Sequence, residues 1–131
     1  FTANNGFLAT ADSGPFSTSA GFHPTVAQQK ILTGGATDSN GATADGTVFF
    51  NFVHSWDYDD AVAPTSYDFK STVLHELMHA LGFISQIDGF GRGWNLSTSG
   101  TPDAWSAFDQ FVVAADGTPL VNSGTASFNT S

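Results

Sequence analysis

The sequence predicts a mixed α+β fold in which a small mixed sheet packs on one principal helix. Three observations carry this expectation. The run Thr47-Val48-Phe49-Phe50-Asn51-Phe52-Val53 is β-prone and almost wholly apolar. Over 69–81, Val73, Leu74, Leu77, Met78 and Leu81 recur at three- and four-residue spacing. Further on, Asp116-Gly117 separates two apolar stretches, 111–115 and 118–121, as a hairpin turn does. With 131 residues, 40% of them hydrophobic, and thirteen phenylalanines, the chain has material for one ordinary core. It opens on Phe1 rather than a methionine and closes in a Ser/Thr/Asn stretch, so the expectation is one domain, or a piece of one, over 1–131.

Taken in order, 1–22 is rich in Gly, Ser, Thr and Ala with isolated phenylalanines, which suits irregular or edge structure. Pro24 opens a short helix through Val26, Gln28 and Ile31, and Gly34-Gly35 ends it, because glycine accepts the left-handed conformation at a helix C-terminus. Turn residues from Thr37 to Gly46 lead into the strand 47–53. Being apolar on nearly both faces, that strand is expected to be central or covered. The stretch 54–60 leaves the sheet as an acidic, aromatic loop. Asp68 is the N-cap of a helix over about 69–82, and Gly82 stands where it should stop. Its apolar stripe predicts that the helix is buried. The Gly-rich stretch 88–93 follows.

Twelve acidic residues against three basic ones give a formal net charge of -9. Nucleic acid and anionic membrane surfaces are therefore not expected partners. No run approaches the roughly 18 apolar residues of a membrane span, and nothing near Phe1 has the form of a secretory signal. With no cysteine, the strong metal ligands available are His, Asp and Glu. A surface vocabulary of Gly, Ser, Thr, Asn and Asp, almost without Lys, Arg or Glu, leads us to expect a secreted bacterial protein.

The chemistry-bearing motif is His75-Glu76-Leu77-Met78-His79, the helical zinc-peptidase pattern H-E-x-x-H. Residues four apart lie one turn above each other, with Cβ atoms about 5 to 6 Å apart, so two imidazoles can converge on one ion. Glu76 lies about 100° around the helix from His75, near enough to hold a metal-bound water and to act as its general base. Four histidines and one glutamate placed at random would produce this pattern in about one chain in a thousand. Glu76 is the only glutamate in the chain. The alternative, two surface histidines beside a solvated glutamate, is opposed by the apolar stripe around them.

The stretch His75 to Phe83, H-E-L-M-H-A-L-G-F, resembles the active-site helix of the metzincin metallopeptidases, and most of all leishmanolysin-like and related bacterial secreted members. The strand 47–53, the Trp56-Asp57 loop, Tyr67-Asp68-Phe69, Phe108-Asp109-Gln110-Phe111 and Asp116-Gly117 are similar to those enzymes more loosely. The resemblance implies a metzincin-like catalytic subdomain with one catalytic Zn2+. It makes His75 and His79 the zinc ligands, Glu76 the general base, and Gly82 the point where the chain turns toward the third ligand. Most metzincins place that ligand six residues after the second, a position held here by Ser85. Leishmanolysin-like enzymes carry it after a long insertion, so the resemblance puts it beyond Ser131. No histidine follows His79, and Met78 is the sole methionine, so the family's methionine turn is absent. Asp88, Asp103 and Asp109 are the candidates for completing the site from within.

The expected activity is hydrolysis of internal peptide bonds in polypeptide substrates by a monomer. Two rivals stand beside it. One is a non-catalytic secreted adhesion module binding Ca2+ through aspartates such as Asp57, Asp59 and Asp60, a cluster that reads more simply as a solvated loop. The other is an inactive zinc-binding fragment. His23 and His54 are expected to be structural or exposed. Trp56, Trp94 and Trp105 are read as core before they are read as a pocket lining. By resemblance, the strand 47–53 could align an extended peptide, but its apolar pattern suggests core.

Overall fold

The structure, a computed structural model, describes residues 6–129 and is mixed α/β. The elements run β1 (Ala9–Asp12), β2 (Gly21–His23), α1 (Val26–Leu32), β3 (Thr47–Phe50), β4 (Trp56–Asp57), β5 (Tyr67–Asp68), α2 (Phe69–Ala80), β6 (Ala104–Ser106), a 3-10 turn (Asp109–Phe111), β7 (Val121–Asn122) and β8 (Ser127–Phe128). Instead of one small mixed sheet, the strands form pairs: antiparallel β1-β3 and β7-β8, and parallel β2-β6 and β4-β5. The pair packed on α2 is β1-β3. Half of it thus comes from the N-terminal stretch whose composition suggested irregular or edge structure.

Asp68 caps α2 as the sequence indicates, whereas α1 is capped by Thr25, one residue after the Pro24 expected to open it. Thr25 and Gln28 make a reciprocal capping box, the Thr25 hydroxyl accepting from Gln28 N at 3.2 Å and the Gln28 amide oxygen from Thr25 N at 3.0 Å. The Asp68 carboxylate accepts from the backbone N–H groups of Lys70 and Ser71 at 3.0 and 3.3 Å, and from the Ser71 hydroxyl. At the other end of α2, Gly82 N donates to His79 O at 2.8 Å and Phe83 N to Met78 O at 3.0 Å, the paired bonds of a Schellman motif. Gly82 takes φ 92°, so the reversal rests on its missing side chain.

The strand expected over 47–53 stops at Phe50, and its burial alternates instead of being continuous. Asn51 ends it. Its side-chain oxygen accepts from Val53 N at 3.1 Å, and its carbonyl accepts from the Trp56 indole at 3.0 Å and from His54 N. These bonds take backbone groups that a longer ladder would need. β3 has a single partner strand, so the expectation of a central strand is corrected.

Two separate packings replace the one expected core. In the first, Trp105, Val121 and Ala126 are buried with Phe22, Ile87 and Phe128 against them, and the Trp105 indole donates to Ala126 O at 2.7 Å. In the second, Phe69 at the start of α2 stands 5.1 Å from Phe50, 5.4 Å from Trp56 and 4.9 Å from Tyr58, ring centre to ring centre. Such tilted and edge-on pairs add to simple area burial. The hairpin around Asp116-Gly117 is present in short form, with Ala114 N to Thr118 O at 2.8 Å, Leu120 N to Val112 O at 3.0 Å and one bridge between Val113 and Pro119. Among the described residues, no helix is long and apolar enough to cross a membrane.

Candidate active site

On α2 the four-residue spacing does what it suggested. Nε2 of His75 and Nε2 of His79 face each other at 2.9 Å. Nδ1 of His79 lies 2.9 Å from the Phe83 carbonyl. A carbonyl only accepts, so Nδ1 carries the proton and the lone pair of His79 sits on Nε2, directed at its neighbour. Two nitrogens so placed can each lie about 2.1 Å from one ion, and a small ring rotation opens them to the roughly 3.4 Å that a tetrahedral angle needs. The donor set therefore fits two positions of a zinc site, and the Phe83 carbonyl supplies the outer contact that fixes such a ligand's tautomer.

Burial around the motif is the reverse of the expectation. Leu74 is 64% exposed, and Leu77, Met78 and Leu81 are exposed as well, whereas Glu76 is only 6% exposed. The helix that the stripe predicted to be buried by its apolar face instead encloses its one acid. Glu76 makes no hydrogen bond or ion pair among the described residues. Buried side-chain polar atoms without a partner are found at Asn40, His54 and Trp94 and not at Glu76, so its carboxylate still reaches solvent.

The three aspartates considered as further ligands are committed elsewhere. Asp88 holds Arg92, with contacts of 2.6 and 2.7 Å to the guanidinium, and accepts from Phe90 N at 2.9 Å. The Arg92 side chain keeps its carboxyl below the usual aspartate range. Asp103 is buried and accepts from the backbone N–H groups of Gly93, Asn95, Ser97 and Ala104 at 2.7 to 3.0 Å. Asp109 is buried and accepts from Gln86 N at 3.1 Å and Ser106 N at 2.9 Å. Their lone pairs are already used. Among the described residues, no group of three or more His, Cys, Asp or Glu is placed to hold an ion.

Burial pushes the Asp103 carboxyl up, but its four amide donors outweigh that and hold it below its usual value. A depressed folded-state pKa gives stability that is fully present above the unfolded value of about 3.9. It is lost as the pH falls through the lower folded value. Thermal unfolding followed from about pH 5 down to about pH 2 should show a falling midpoint, with Asp103→Asn less stable at neutral pH and flatter across that range. An unchanged slope in the variant would mean that other carboxylates carry the acid sensitivity.

The remaining candidates have structural roles. The Asp57 carboxylate accepts from Ala63 N and Asp59 N, which lower its pKa, and Asp60 pairs with Lys70 at 2.5 Å. His23 Nε2 is 2.8 Å from Ser19 O, and His54 packs edge-on against Tyr67. His54 Nε2 and Trp94 Nε1 are buried without a hydrogen-bond partner among the described residues. Ser85, in the metzincin third-ligand position, caps Ile87 N at 3.2 Å. What sequence reasoning missed is the support behind His79, where Ser106 and Asp109 bind the chain just past Gly82. The Ser106-x-x-Asp109 pairing is local, but its reach to Ile84 and Gln86, 22 and 23 residues upstream, has no local sequence signal. In comparisons with protein-family models, curated proteins and solved structures, nothing matches this chain.

Proposed function

We propose that the chain is the metzincin-like catalytic part of a secreted, zinc-dependent endopeptidase acting on polypeptide substrates. The observation that carries the reading is the convergence of His75 Nε2 and His79 Nε2 at 2.9 Å on the helix that also carries Glu76. Bound there, zinc would supply Lewis acidity, lowering the pKa of water toward about 7 and polarising a scissile carbonyl. His75 and His79 would hold it. The hydrogen bond from His79 Nδ1 to Phe83 O keeps that ring aimed. Glu76 accepts a proton from the attacking water and returns it to the leaving amine.

A second reading, zinc binding without turnover, is favoured by one observation: only two ligands are placed together among the described residues. Zinc titration of the purified chain with casein cleavage followed in parallel separates the readings. The peptidase reading expects stoichiometric zinc that His79→Ala abolishes, and cleavage that a chelator stops and zinc restores. Zinc uptake with no cleavage favours the second reading, and no uptake rejects both.

A further inference from the structure

We infer that Asp109, acting with Ser106, is a positioning residue for the ligand His79. This inference rests on the zinc reading of α2. The acceptor that orients His79 is a backbone carbonyl at Phe83, in a segment that has already left the helix, so its position depends on whatever holds 83–86. Three contacts do so from the far side of the sequence. The Asp109 carboxylate accepts from Gln86 N at 3.2 and 3.1 Å through its two oxygens. It also accepts from Ser106 N at 2.9 Å, which anchors the 3-10 turn to β6. The Ser106 hydroxyl donates to Ile84 O at 2.8 Å and accepts from Asp109 N at 3.2 Å.

Asp109 and Ser106 are both buried, at 1% and 0% exposure, so water does not compete for these bonds. Upstream, Gly82 and Phe83 are tied to α2 by the Schellman bonds; downstream, Ile84 and Gln86 are tied to Ser106 and Asp109. The Phe83 carbonyl is thus fixed from both sides, and with it the tautomer and ring angle of His79.

Asp103 provides the comparison. It is an equally buried carboxylate bonded to backbone amides, but it clamps 93–97 and makes no hydrogen bond to 83–86 among the described residues. The test compares Asp109→Asn, Ser106→Ala and Asp103→Asn in the whole chain. Two quantities are read: zinc affinity by competition with a chromophoric chelator, and the His79 tautomer in metal-free protein from its ring nitrogen shifts. We expect Asp109→Asn to weaken zinc binding by about 10- to 100-fold and to mix the His79 tautomers. Ser106→Ala should act in the same direction with a smaller effect, and Asp103→Asn should lower stability while leaving both readouts unchanged. If Asp109→Asn does not fold, Ser106→Ala decides. Wild-type affinity and tautomer in the folded variant, or equal losses in Asp103→Asn, would overturn the inference. If the unaltered chain takes up no zinc, the zinc reading fails by itself, and the tautomer measurement still judges the link from Asp109 to His79.

Discussion

Glu76→Gln is expected to keep its zinc and to lose peptide hydrolysis by about 10²- to 10⁴-fold in kcat, the usual share of a general base. Glutamine has nearly the same shape as glutamate and can still hold a water molecule, but it cannot take up a proton at neutral pH. Glu76 is also buried with no partner among the described residues. With no bond of its own to lose, the variant should keep its unfolding midpoint while activity collapses. That opposition of stability and activity marks a residue kept for chemistry and not for the fold. Zinc content, kcat and thermal midpoint measured on the same preparation check it. Activity within tenfold of wild type would remove Glu76 from the proton transfer. Loss of zinc together with activity would make it a ligand instead.

The second large effect is expected at Gly82. Its φ of 92° lies where a side chain is strained, at a cost of about 1–2 kcal/mol. An added Cβ would also stand 2.7 Å from the Thr25 hydroxyl and closer still to the Gln28 side chain. Overpacking of this kind adds about 1–3 kcal/mol, so Gly82→Ala should lose about 3 kcal/mol in urea unfolding. The two parts are separable. Gln28→Ala shortens the side chain that the new methyl meets, so the pair should cost less than the sum of the single changes. A loss under about 0.5 kcal/mol, the size of an ordinary surface change, would show that the capping box of α1 does not press on the end of α2 as described. Because Gly82 N bonds His79 O, a shift here should also weaken zinc binding.

The parts of this protein that were legible in the sequence are those set by contacts within about one turn of chain. Asp68 as a cap, the short helix that follows Pro24, the glycine that ends α2 and the convergence of His75 with His79 all depend on residues two to four apart, where backbone geometry leaves few choices. Tertiary structure decided the rest. Pairing β1 with β3 joins Ala9 to Phe50, and neither partner announces the other. Apolar periodicity identified α2 correctly as a helix, but it could not say which face would be covered: the fold enclosed Glu76 and left Leu74 exposed. Asp103 and Asp109 look, in sequence, like any acids able to bind a cation. Folding brings backbone amides to them from as far as 23 residues away, at Gln86, and a carboxylate whose lone pairs are filled by N–H donors is a clamp and not a ligand. Residue type and spacing determine what a side chain can do, whereas burial and long-range partners, which depend on the whole chain closing on itself, determine which of those things it does.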